Sequence, residues 1–192
     1  MDIPLICCCA EYLPFEGDSF DLVVANNVLE HLPDQKQMVR ESFRVLTSPG
    51  TFFSITTNRF TLGPEPHVRL WGVGFLPRRW MEPYVRLIRG IPYRFIHSLS
   101  YFELCVLLRN SPFQDYHIFA PSISAAQVSH MTAKAKTLAQ IYSIGLKMPI
   151  LSAFLFLVSP LLCVLGFKQK NITKGKPGLF NVLKNSATKR RY

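Results

Sequence analysis

Residues 20–57 read FDLVVANNVLEHLPDQKQMVRESFRVLTSPGTFFSITT, and the order of patterns along them decides the fold class. The stretch opens on FDLVVA at 20–25, a short and almost continuously apolar run. Runs that do not alternate suit strands covered on both faces, as in a parallel sheet. Between Pro33 and Pro49, the residues Met38, Val39, Phe43, Val45 and Leu46 recur at largely helical spacing. Asp34 stands where an N-cap belongs, with Gln37 three residues later, so an amphipathic helix is predicted. Ser48-Pro49-Gly50 predicts its end. TFFSITT at 51–57, rich in β-branched and aromatic residues, predicts the next strand. Strand, helix and strand in that order make a βαβ crossover, which requires a parallel pair and a right-handed connection. The fold class is α/β.

Upstream, IPLICCC at 3–9 is a second continuous apolar run and is expected to be a buried strand of the same sheet. Cys7, Cys8 and Cys9 would act there as small hydrophobes. Cys105 and Cys163 stand alone in apolar runs, so the five cysteines suggest neither a disulfide framework nor a zinc knuckle, and a reducing, cytoplasmic setting follows. No basic segment precedes Ile3, so the run is not read as a signal peptide.

Downstream, Gly63, Pro64, Pro66, Gly72, Gly74, Pro77, Pro83, Gly90 and Pro92 crowd a stretch without clean periodicity, read as an insert or substrate lid over 58–97. Ser100 and Glu103 form a capping box. Phe102, Val106, Leu107 and Leu108 then give a helix its apolar face up to the stop at Asn110-Ser111-Pro112, and Phe113–Phe119 alternates loosely as a strand. Met148–Phe167 carries no charge between Lys147 and Lys168, which is long enough for a membrane span. Pro149, Pro160 and Gly166 favour instead a helix followed by a strand at Leu161–Phe167 paired with Phe113–Phe119, and Val158, Val164 and Phe167 suit a sheet.

With 192 residues, 48% of them hydrophobic and 18% charged, the chain suits one globular unit and is no disordered polyelectrolyte. A mean hydropathy of +0.16 and 15 Phe make membrane contact a question to ask. The charge is uneven. Residues 1–57 hold eight acids against three bases, and residues 58–192 hold nineteen bases against four acids. Lys168, Lys170, Lys174, Lys176, Lys184, Lys189, Arg190 and Arg191 meet no acid in the last segment. They read as a solvated tail or as a contact for an anionic membrane surface through 148–192. No nucleic acid is expected as a partner, because the bases lack interleaved stacking aromatics.

Ala10-Glu11-Tyr12-Leu13-Pro14-Phe15, Ser19-Phe20-Asp21-Leu22-Val23-Val24, Val28-Leu29-Glu30-His31 and Arg44-Val45-Leu46 follow one another in fixed order. Together the four blocks resemble the type 11 subgroup of class I S-adenosylmethionine-dependent methyltransferases. The resemblance covers residues 8–57 and continues more weakly through Asn58-Arg59, Glu65-Pro66-His67 and Gly74-Phe75-Leu76-Pro77-Arg78. It implies a doubly wound sheet with S-adenosylmethionine across the carboxyl ends of the strands. Residues 3–9, 20–25 and 51–57 would be its third, fourth and fifth strands. The first two strands, with the glycine-rich turn and the ribose-binding acid, would precede Met1. The expected architecture is thus a partial Rossmann-like sheet lacking the first strands, with an irregular insert and a hydrophobic C-terminal segment.

Carried over position by position, the resemblance places Cys9, Ala10 and Glu11 beside the adenine and Asn26 against the methionine moiety, with His31 near the mouth. Cys9 departs from the family's aspartate, and a thiol is a poor acceptor for the adenine amino group. His31 and His67 are the candidate catalytic residues, each weighed against a scaffold role. Glu30 reads as a surface or capping carboxylate. Arg78-Arg79-Trp80 reads either as a phosphate clasp or as solvated arginines on an indole. No metal set is expected, because the histidines are separated in sequence. The chain divides into a cofactor-binding part (1–57), the insert (58–97), the remaining helices and sheet edge (98–167) and the tail (168–192). The expected function is methyl transfer to a small molecule, lipid or glycan, impaired in this chain. The alternative is a non-catalytic, membrane-associated or partner-binding remnant.

Overall fold

The computed structural model describes residues 4–121, 137, 142, 144–145 and 148–169. Its framework is a four-stranded mixed sheet. Strand β1 (Phe20–Asn26) leads through a 3-10 turn at Leu29–His31 into helix α1 (Gln35–Val45), which returns the chain to strand β2 (Leu46–Thr57). β1 and β2 are parallel, with Val23 opposite Phe52 and Asn26 opposite Ile55, so the βαβ expectation holds. Asp34 caps α1 by accepting from the Gln37 N–H at 3.0 Å. Ser48-Pro49-Gly50 differs from expectation. It lies inside β2, where the register slips between the Phe20–Leu46 and Leu22–Thr51 pairs, so the breaker residues form a bulge rather than a turn.

Helix α2 (Arg78–Arg89) and helix α3 (Tyr101–Arg109) follow. The full capping box of Ser100 and Glu103 is present on α3. Its buried face is Leu104, Leu107 and Leu108, whereas Phe102 and Val106 point outward and stay more than half exposed. Strand β3 (Asp115–Phe119), helix α4 (Pro149–Leu157) and strand β4 (Leu161–Lys168) complete the framework. β4 inserts antiparallel between β2 and β3, with Ile118 opposite Val164. The pairing expected of Leu161–Phe167 with Phe113–Phe119 is therefore found, over Asp115–Phe119 and Cys163–Phe167. Among the described residues, no helix is long and apolar enough to cross a membrane.

Three expectations need correction. Residues 4–9 form no strand: Cys7, Cys8 and Cys9 are exposed and Leu5 is 93% exposed. An apolar run becomes a strand only beside a partner, and the described residues supply none for it. The stretch 58–97 is not irregular throughout, because Arg78–Arg89 is helical around an internal Pro83, burying Met81 and Val85. These join Val68, Leu70, Val73 and Tyr93 in a small core of their own. Lys168 is no tail residue: it ends β4, and its ammonium donates to Asp18 (2.8 Å) and to the Leu46 carbonyl (2.6 Å). The tail expectation for 170–192 lies outside the described residues.

The main core joins Ala25, Leu29, Met38, Val39, Phe52, Leu104, Leu108, Phe113, Leu162 and Val164. It therefore sits between one face of the sheet and helices α1 and α3. On the other face Leu22 and Val24 are 55% and 56% exposed, so β1 is not covered on both sides by the described residues.

Candidate functional site at the carboxyl end of the parallel pair

The Ala10–Phe15 segment has no regular structure, yet it is firmly placed. Arg44, one helical turn from Glu41 on α1, donates to the carbonyls of Phe15 (2.8 Å) and Leu13 (3.0 Å). Glu41 accepts the Leu13 N–H at 3.0 Å and pairs with Arg44 at 2.8 Å. The Arg44 guanidinium holds the Glu41 carboxyl below its ordinary value. A turn closed by the Tyr12 N–H on the Cys9 carbonyl (3.1 Å) then presents Ala10 and Glu11. Ala10 packs on the main core. Glu11 is buried, and among the described residues no hydrogen bond or ion pair reaches its carboxylate. Asn26 is exposed at the carboxyl end of β1.

Beyond Asn26 the chain turns through Asn27, held at φ 51°, and enters the 3-10 turn that carries Glu30 and His31. Glu30 is not a surface carboxylate. It is fully buried, accepting from the Thr56 hydroxyl at 2.9 Å and, weakly, from the Thr57 N–H at 3.4 Å, both at the carboxyl end of β2. Its carbonyl accepts the His97 N–H (2.7 Å). Nothing in the spacing of Glu30 announced this burial. The one available signal was its place between the core residue Leu29 and the candidate His31.

The two candidate histidines meet. His67 lies in a tight loop closed by the Glu65–Leu70 bridge, and its ring packs edge to face on His31 with centroids 4.9 Å apart. Glu65 organises this loop. One carboxylate oxygen accepts the N–H groups of His67 (2.8 Å) and Val68 (2.9 Å), and the other lies 2.6 Å from His67 Nδ1. Burial pushes the Tyr93 phenol up, and so does the negative charge of the neighbouring Glu65, so the hydroxyl stays protonated beside that carboxylate. Glu65 was singled out in the sequence only as part of a motif. Its role depends on chain reversal, which linear spacing does not display.

Two basic residues of the insert are tied to carbonyls and carboxylates around it. Arg59 donates to the carbonyls of Gly74 (3.0 Å) and Leu76 (3.0 Å), and a Cβ on Gly74 would fall 1.6 Å from the Arg59 carbonyl oxygen, so only glycine permits this approach. Arg78 pairs with Glu103 at 2.7 Å and donates to Ser98, while Arg79 lies over Trp80. Between these groups a cavity of about 10 Å³, lined by Asn58, Arg59, Glu65, Arg78, Tyr93 and Ser98 among others, holds one water at most.

Residues 2–54 match the methyltransferase domain family model. A probable S-adenosylmethionine-dependent methyltransferase of Mycolicibacterium smegmatis is 50% identical over 52 residues, 27% of this chain and 20% of that protein. This stretch is thus similar to S-adenosylmethionine-dependent methyltransferases. The mitochondrial 2-methoxy-6-polyprenyl-1,4-benzoquinol methylase of Leishmania donovani is 35% identical over 80 residues, 41% of this chain and 27% of that protein. The chain thus spans about a quarter or less of the curated methyltransferases it matches. In fold, it is similar to an S-adenosylmethionine-dependent methyltransferase from Mesorhizobium loti, with a TM-score of 0.50 and 18% identity over 84% of this chain and 67% of that one. A Thermotoga maritima S-adenosylmethionine-dependent methyltransferase gives a TM-score of 0.50 at 15% identity, covering 84% of this chain and 62% of that one.

The cofactor of this methyltransferase family is S-adenosylmethionine. The residues present fit one side of it. Glu11 has no hydrogen-bond partner among the described residues and Asn26 is exposed, so both leave polar atoms available to a ligand. Cys9 is exposed and does not supply the acceptor that the family's aspartate would.

Proposed function

We propose that the chain takes part in S-adenosylmethionine-dependent methyl transfer to a small-molecule, lipid or glycan acceptor, with impaired cofactor affinity. The observation that carries this reading is the meeting of His31 and His67 at the carboxyl end of the parallel β1–β2 pair, where open α/β sheets bind ligands. Cys9, Ala10, Glu11 and Asn26 would line the cofactor side, and His31 and His67 the acceptor side. S-adenosylmethionine, when bound, supplies a methyl group already activated on sulfonium.

What remains for the protein is alignment, exclusion of water and disposal of a proton. With Nδ1–H donating to Glu65, His67 keeps its Nε2 lone pair facing away from that carboxylate, in the tautomer suited to receive the acceptor. Low affinity follows from Cys9. A neutral thiol replaces a carboxylate acceptor, and a hydrogen bond involving a charged group contributes about 1.5–3 kcal/mol. The test is transfer of tritiated methyl from millimolar cofactor into fractions of small metabolites, lipids or glycans. Slow labelling of one fraction, abolished in His67→Ala, is expected, and labelling of none counts against the reading.

A further inference from the structure

We propose that Glu30, His31 and His67 form a binding site for one divalent transition-metal ion of the zinc type. One ligand atom from each of the three residues lies within 4.8 Å of the others. Ligands bound tetrahedrally at 2.0–2.1 Å are about 3.3 Å apart, so side-chain rotations of an ångström or so would close the set. Both residues are exposed.

Two further observations point to a cation. Glu30 is fully buried, yet among the described residues no lysine, arginine or histidine forms an ion pair with it, and its Oε1 receives only the 3.4 Å contact from Thr57. A buried carboxylate is normally paired with a cation or coordinates a metal. His67 is already arranged as a ligand: Glu65 holds its Nδ1 at 2.6 Å, the carboxylate–histidine pairing that orients metal-binding imidazoles. Glu65 is in turn fixed by the N–H groups of His67 and Val68, so the support of the site is built before any ion arrives.

Two imidazoles and one carboxylate select a borderline ion over magnesium or calcium, which take oxygen ligands. Three protein ligands also leave a coordination position open. The inference deepens the proposed function. The ion would bind the acceptor's oxygen or nitrogen and lower its pKa; with the His67 Nε2 lone pair then taken up by the ion, the acceptor's proton passes to solvent water.

Cys7, Cys8 and Cys9 are exposed and would bind zinc on their own, so the test uses the full chain carrying Cys7→Ser, Cys8→Ser and Cys9→Ser. Calorimetry with Zn2+ is expected to give one site, weakened about 10–100-fold by Glu65→Gln, the usual range for an outer-layer change, and more than that by His31→Ala or His67→Ala. Co2+ should give visible absorption bands that vanish in the His31→Ala/His67→Ala double variant, with thermal melting reporting that each variant is folded. Absence of a Zn2+ site in the serine background, or binding unchanged by loss of both histidines, overturns the proposal. Because no cofactor is present, either result leaves the methyl-transfer reading to its own test.

Discussion

His67 Nδ1 lies 2.6 Å from Glu65 Oε1, and the ring it belongs to sits edge to face on His31. The pair links a loop of the insert to the turn that follows β1. Glu65 is the residue on which this link rests, because its carboxylate also accepts the loop's two N–H groups, and its charge acts on the neighbouring Tyr93 phenol.

Glu65→Ala should therefore destabilise the chain by about 2–3 kcal/mol, since a buried donor left without its acceptor costs about 1–3 kcal/mol and several are stranded together. Tyr93→Phe removes the buried phenol beside Glu65 and should cost less. Urea unfolding of both single variants and the double variant closes a double-mutant cycle. The two losses should be clearly less than additive, as expected of residues in one network. Strict additivity would mean that Tyr93 and Glu65 do not act together.

The ion pairs of Glu103 give the protein an acid-sensitive joint. Burial alone would raise the Glu103 carboxyl, but the Arg78 guanidinium and the N–H and hydroxyl of Ser100 outweigh it, so the folded value is lowered. A lowered carboxylate contributes stability that is present above its unfolded value. That contribution is lost as pH falls through the folded value. The urea midpoint should fall on acidification below the ordinary carboxylate range, and Glu103→Gln should flatten that part of the profile. An unchanged profile in the variant would remove Glu103 from the account.

Gly166, in the central strand β4, faces Phe113, where an added Cβ would come within 3.0 Å of the ring. The ring cannot easily retreat, since Phe113 is stacked on Phe52 and meets Phe43 edge to face. Gly166→Ala should cost about 1–3 kcal/mol through overpacking, measured as a shift in the urea midpoint. A stabilised variant would show that this part of the core is loose.

Much of the framework was legible because its signals are local. Asp34 and Gln37, Ser100 and Glu103, and the βαβ order of 20–57 each act within a few residues. Leu161–Phe167 was readable as a strand because prolines and Gly166 weaken the helical alternative. Helix α2 was hidden by Pro83, whose cost is offset by burying Met81 and Val85 in a separate small core. Residues 4–9 misled because an apolar run announces burial only if a partner strand is present. At the site, His31 and His67 were visible as residue types, but their contact and the burial of Glu30 depend on how the insert folds back on the carboxyl end of β2. No pattern along the chain encodes that distance.

Whether S-adenosylmethionine chemistry is placed at the carboxyl end of β1 is decided by titrating S-adenosylhomocysteine into the isotope-labelled chain and following backbone amides by NMR. The account predicts weak, fast-exchange binding. Shifts should concentrate at Cys9, Ala10, Glu11 and Asn26, and binding should tighten in Cys9→Asp. Shifts located elsewhere, or no shifts at these four residues at millimolar ligand, would contradict it.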